Sequence, residues 1–120
     1  MITAAATVAV YVEDTDASLG FWVDKVGFEV RVDRAMGAER WVEVGPPGAA
    51  TALVLYPRKM MKGWESQRAS IVFECDDIEA TYATLVERGV SIELELRDMP
   101  WGKFAAFQDD LGNSYGLRQK

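Results

Sequence analysis

Two stretches of this chain, residues 8–28 and 70–90, run through the same succession of elements, and that internal repeat limits the fold more than any other feature. In the first, Val8-Ala9-Val10-Tyr11-Val12 is β-branched and alternating, which predicts a strand. Glu13-Asp14-Thr15-Asp16 follows, and Asp14 or Thr15 suits a helix N-cap. Leu19, Trp22, Val23 and Val26 then fall at helical spacing, with Gly27 as the stop. In the second, residues 70–75 form the strand, Asp76-Asp77 the cap, Ile78, Tyr82, Leu85 and Val86 the apolar helix face, and Gly89 the stop. Three further strands follow each helix: residues 28–33, 40–44 and 51–56 in the first half, and residues 90–96, 102–108 and 114–118 in the second. Gly45-Pro46-Pro47-Gly48 and Asp109-Asp110-Leu111-Gly112-Asn113 mark turns. The reading is one domain of 120 residues: module one at 1–57, a polar linker at 58–67 and module two at 68–120.

Side-chain alternation assigns faces. Val8, Val10 and Val12, like Ile71, Phe73 and Cys75, are expected under the helices; Thr7, Ala9 and Tyr11, with Ser70, Val72 and Glu74, face the other way. Residues 1–14 read as a strand leading into an acidic cap rather than a signal peptide, and no apolar run is long enough for a membrane span. The single cysteine, Cys75, excludes an internal disulfide, so a cytoplasmic location is expected. The net charge of −6 argues against a nucleic-acid partner. The chain has no histidine, which removes the commonest ligand for zinc, copper and non-haem iron and all imidazole-based catalysis.

With the elements in place, four stretches resemble the vicinal oxygen chelate superfamily of glyoxalases, bleomycin resistance proteins and extradiol dioxygenases. They are Val12-x-Asp14 with Phe21-Trp22-x-Asp24-x-Val26-Gly27-Phe28; Arg40-Trp41-Val42 with Leu53-Val54-Leu55; Asp77-Ile78-Glu79-Ala80 through Glu87-Arg88-Gly89-Val90; and Phe107-x-Asp109-Asp110-x-Gly112-Asn113. Their order and spacing carry the match, which spans nearly the whole chain. The resemblance implies an α+β fold in which two βαβββ modules form curved mixed sheets around a concave cleft, with helices on the convex side. It also implies a homodimer.

Metal-dependent members of that superfamily place ligands at positions that map here to Thr7, to Ala52 or Leu53, to Ser70 and to Gly116. These side chains are hydroxyls, hydrocarbon or hydrogen, so the resemblance implies no metal, no cofactor and no metal-dependent glyoxalase or dioxygenase activity. The metal-free precedent is the bleomycin resistance type, which sequesters an antibiotic.

Four tryptophans in a chain of this length suit stacking on a planar guest. Trp41, Trp64 and Trp101 lie on segments expected near the cleft, with Tyr11, Glu74 and Arg118 as polar candidates; Trp22 is expected in the core. The expected ligand is a small aromatic or cationic molecule. Two alternatives stay open: a metal-free enzyme using Glu74 and Tyr11 as an acid–base pair, and a non-catalytic interaction module presenting Trp64 and the basic stretch 58–62.

Overall fold

The computed structural model describes residues 1–2, 5–60 and 71–119. The chain divides into two compact units, Met1–Ala69 and Ser70–Lys120. Each contains one helical region and one four-stranded mixed sheet, giving an α+β fold of two βαβββ units.

The first unit runs β1 (Thr7–Val12), α1 (Thr15–Gly20), a π-helical segment (Phe21–Val26), β2 (Glu29–Met36), β3 (Glu39–Gly45) and β4 (Ala52–Pro57), and a single 3₁₀ turn, Arg58–Met60, follows. The spatial order is β1-β4-β3-β2, with β1 parallel to β4 and the other pairs antiparallel. Asp14 opens α1 by accepting the Ala17 N–H at 3.1 Å, which satisfies one of the donors a helix start leaves unpaired. The helix packs on β3 and β4, over Val10, Val12, Val42, Val44, Leu53 and Leu55, all of them buried.

Helical spacing predicts one continuous α-helix burying Leu19, Trp22, Val23 and Val26. The structure instead buries Ser18, Phe21 and Trp22 and leaves Leu19, Val23 and Val26 partly exposed. The π-helical turns account for the difference. Each takes an extra residue, which rotates the following side chains and turns two adjacent rings, Phe21 and Trp22, into the core. Trp22 is wholly buried. It stacks on Phe28 at 5.2 Å between ring centroids and meets Phe21 edge-on at the same separation. Gly27, at φ 92°, closes the segment by donating to the Trp22 carbonyl.

The second unit runs β5 (Ile71–Cys75), α2 (Ile78–Glu87), β6 (Ile92–Met99), β7 (Gly102–Gln108) and β8 (Ser114–Gln119), in the order β5-β8-β7-β6 with β5 parallel to β8. Asp77 caps α2 through the Ala80 N–H at 3.1 Å. Ile78 and Leu85 are buried, but Val86, expected on the same apolar face, is half exposed. The rings of Phe73, Phe107 and Tyr115 stack in the core at 5.5 to 6.2 Å. Among the described residues no helix is long and apolar enough to cross a membrane.

The turn before β8 is built around one buried carboxylate. Asp109 accepts from Leu111 N–H at 2.8 Å, Asn113 N–H at 2.9 Å, the Asn113 side-chain amide at 3.0 Å and the Tyr115 hydroxyl at 2.8 Å. Burial first, and then the neighbouring Asp109 charge, hold the Tyr115 phenol well above its ordinary pKa. An unfolded tyrosine releases its proton near pH 10. Between that value and the higher folded one the unfolded state binds fewer protons, so stability falls as pH rises. Tyr115→Phe is expected to lower stability at neutral pH by about 1–2 kcal/mol, because Asp109 loses a donor. It is also expected to flatten the decline above about pH 10. The Cys75 thiol, also pushed up mainly by burial, is common to both proteins and cancels. Urea midpoints across neutral and alkaline pH check this; wild-type and variant curves that stay parallel would contradict it.

Candidate functional site

Each sheet carries its helix on one face only, so the residues of interest lie on the other. In the first sheet, register places Thr7 beside Ala52, Ala9 beside Val54 and Tyr11 beside Tyr56. Val54 is paired in turn with Glu43, and Glu43 with Val32 on β2. Trp41 lies two residues from Glu43 on β3 and therefore on the same face, with Arg34 as its cross-strand partner. Tyr11, Trp41, Glu43 and Tyr56 are all partly exposed there.

These residues form one cluster. Tyr56 meets Tyr11 at 6.2 Å and 80°, and Trp41 at 5.9 Å and 82°. Edge-to-face geometry of this kind is what the ring quadrupoles favour. The Trp41 indole N–H donates to Glu43 Oε2 at 2.8 Å. Among the described residues, none hydrogen-bonds the hydroxyl of Tyr11 or Tyr56. The result is a set of perpendicular rings, two available hydroxyls and a carboxylate on one sheet face. The sequence reading includes Tyr11 and Trp41 and misses Tyr56 and Glu43. The second pair carries a signal: alternation from Trp41 to Glu43, and Tyr56 closing a strand beside Tyr11.

In the second sheet, Val72 and Glu74 are register partners of Gly116 and Arg118, and Ala106 and Phe104 flank these on β7. The Glu74 carboxylate forms an ion pair with Arg118, both side chains being about half exposed. Trp101, in the turn before β7, is 69% exposed and meets Phe104 edge-on at 6.4 Å. Glu74, Arg118 and Trp101 thus belong to the second unit, and Tyr11 and Trp41 to the first. Trp64, Ser70 and the linker beyond residue 60 lie outside the described residues.

Of the positions at which the resemblance would place metal ligands, the described ones carry a hydroxyl, a methyl and no side chain. The Thr7–Ala52 pairing puts Ala52, not Leu53, on the face of Thr7, so the pair offers one hydroxyl and one methyl. At Gly116 an added Cβ would come within 2.8 Å of Phe104 Cζ and 3.1 Å of Val72 Cγ2. The Phe104 ring therefore takes the space a longer side chain at 116 would need. Among the described residues no cluster of three His, Cys, Asp or Glu side chains could hold an ion.

A separate groove of about 340 Å³ in the first unit is lined by charged residues including Glu13, Asp16, Glu39, Arg40 and Lys59. Its charges are largely paired with one another or with adjacent acids. Arg40 bridges Asp16 and Asp33, and Lys59 meets Glu39 at 2.6 Å. Exposed pairs of this kind are worth little individually.

Comparison with known proteins places this geometry in context. Residues 4–115 match the model of the glyoxalase/bleomycin resistance protein/dioxygenase superfamily. The protein YetH of Bacillus subtilis strain 168 is 49% identical over 99% of this chain and 100% of its own length. A crystal structure of a superfamily member from Sphaerobacter thermophilus DSM 20745 superposes with a TM-score of 0.91 at 31% identity, covering 99% of this chain and 98% of that one. The crystal structure of TnmS3, an antibiotic binding protein from Streptomyces sp. CB03234, superposes with a TM-score of 0.85 at 37% identity, covering 98% and 96% of the two chains.

Proposed function

Because this chain belongs to the glyoxalase/bleomycin resistance protein/dioxygenase superfamily, we propose that it binds a small planar organic molecule without a metal, and that antibiotic sequestration is its biological role. The observation that carries the proposal is the Tyr11–Tyr56–Trp41 cluster with Glu43 on the helix-free face of the first sheet. A planar guest gains from aromatic surface and from polar groups that fix its orientation, and this face supplies both. The likeness to an antibiotic binding protein at 37% identity supports the same reading. The donor-poor side chains at Thr7, Ala52 and Gly116 favour recognition by shape and stacking over chelation. Trp101, Glu74 and Arg118 of the second sheet, and Trp64, are separate candidates for ligand contact. The working form is a cytoplasmic homodimer.

Titration of a panel of planar aromatic antibiotics, followed by tryptophan emission, tests the proposal. Saturable quenching by at least one member is expected. A panel that leaves the emission unchanged up to millimolar concentration would lead to its abandonment.

A further inference from the structure

The first sheet also bears on the charge of the ligand. Five acidic side chains have a cationic partner: Asp16 and Asp33 with Arg40, Glu39 with Lys59, Glu74 with Arg118 and Glu79 with Lys103. Glu43 does not. Among the described residues its one bond is to the Trp41 indole, a neutral donor that takes one carboxylate oxygen. Arg34, across the ladder from Trp41, makes no ion pair with it, and Arg31, beside Val32 on β2 with its guanidinium against Gly45, donates to the Pro46 carbonyl. Glu43 is partly buried, so its charge is less well solvated than that of a surface acid.

The carboxylate is held against aromatic rings. The rings meet edge to face in a corner, and ring faces attract positive charge. The indole bond fixes the carboxylate beside that corner, so both attractions act on one group. We infer that Glu43 is the specificity-determining residue of this face and that it selects an organic cation, a protonated or quaternary amine attached to an apolar body, over a neutral molecule of the same shape. The net charge of −6 adds a weak long-range attraction of the same sign. The inference rests on the proposed binding function and decides between the aromatic and cationic ligand classes.

The test compares phenyltrimethylammonium with its neutral isostere tert-butylbenzene, each titrated into the full chain and followed by tryptophan emission. The cation is expected to bind about tenfold more tightly, the scale of a partly desolvated cation–π and carboxylate contact. Glu43→Gln, which keeps the shape and an acceptor for the indole, is expected to remove that preference and leave the neutral probe unchanged. The wild-type ratio needs no variant, so a misfolded Glu43→Gln protein would not rescue the inference. Equal binding of the two probes by wild type, or an unaltered preference in the folded variant, would overturn charge selection and leave the binding face standing. Binding of neither probe up to millimolar concentration would overturn both.

Discussion

Trp22→Ala is expected to lower the unfolding free energy by about 3–5 kcal/mol, the range for removing a large buried aromatic side chain. Domains of this size are stable by only about 5–15 kcal/mol, so the variant should be close to unfolding at ambient temperature. The size of the effect follows from position. Trp22 is wholly buried, stacks on Phe28 and meets Phe21 edge-on, in the π-helical segment that continues α1 and packs against β2. A cavity there cannot be closed by rotating one side chain, because Phe21 is already committed to the core and Gly27 fixes the end of the segment. Trp101→Ala is the internal control: at 69% exposure it should change stability by less than about 0.5 kcal/mol. Urea denaturation of both variants checks the contrast. A loss below about 1 kcal/mol for Trp22→Ala would contradict the described core.

The second large effect concerns ligand rather than fold. Trp41→Ala is expected to weaken binding of a planar aromatic ligand by about 2–3 kcal/mol, which is roughly 30- to 150-fold. The substitution removes a ring of the corner and also the donor that holds Glu43 in place. Because Trp41 is on the helix-free face and only partly buried, the variant should remain folded. Trp41→Phe separates the two contributions: it keeps a ring against Tyr56 and loses the bond to Glu43, so its affinity should fall between wild type and the alanine variant. Isothermal calorimetry reads all three proteins without depending on tryptophan emission. Equal affinity in Trp41→Ala would place the ligand elsewhere on the chain.

Much of the fold is legible in the sequence because its strongest signals are local. The caps at Asp14 and Asp77 need only an acid three residues before the N–H it accepts from, and both are found in that role. Gly27 and Gly89 sit at φ 92° and 80°, where a side chain would be strained. The faces of β1 and β5 follow from alternation, with Val10 and Val12 buried and Val72 and Glu74 exposed. The π-helical turn is not legible: spacings of three and four describe an α-helix, and only the demand of the core for both Phe21 and Trp22 overrides them. Strands β2 and β6 are less legible as well. Register shifts between Val30 and Val32 on β2, and at two places on β6, break the simple parity on which face assignment depends.

The site is only partly legible for a related reason. Trp41 and Tyr11 stand out as large aromatics in strands, but their connection runs through Tyr56, and that depends on how β3 and β4 pair with each other and with β1. An acid in a strand is most often solvated, so Glu43 gives no sign until the Trp41 indole is seen to bind it. The choice between Ala52 and Leu53 is likewise a matter of pairing, which the Thr7–Ala52 register decides.

The central claim is that the ring corner on the first sheet takes its ligand without a metal. The most direct test is an NMR titration of a planar aromatic ligand into isotopically labelled protein held in excess EDTA, following the four indole N–H resonances. The account predicts that the Trp41 resonance moves saturably while that of the buried Trp22 stays in place. A Trp41 resonance that does not respond in EDTA, and moves only after a stoichiometric divalent metal is restored, would contradict it.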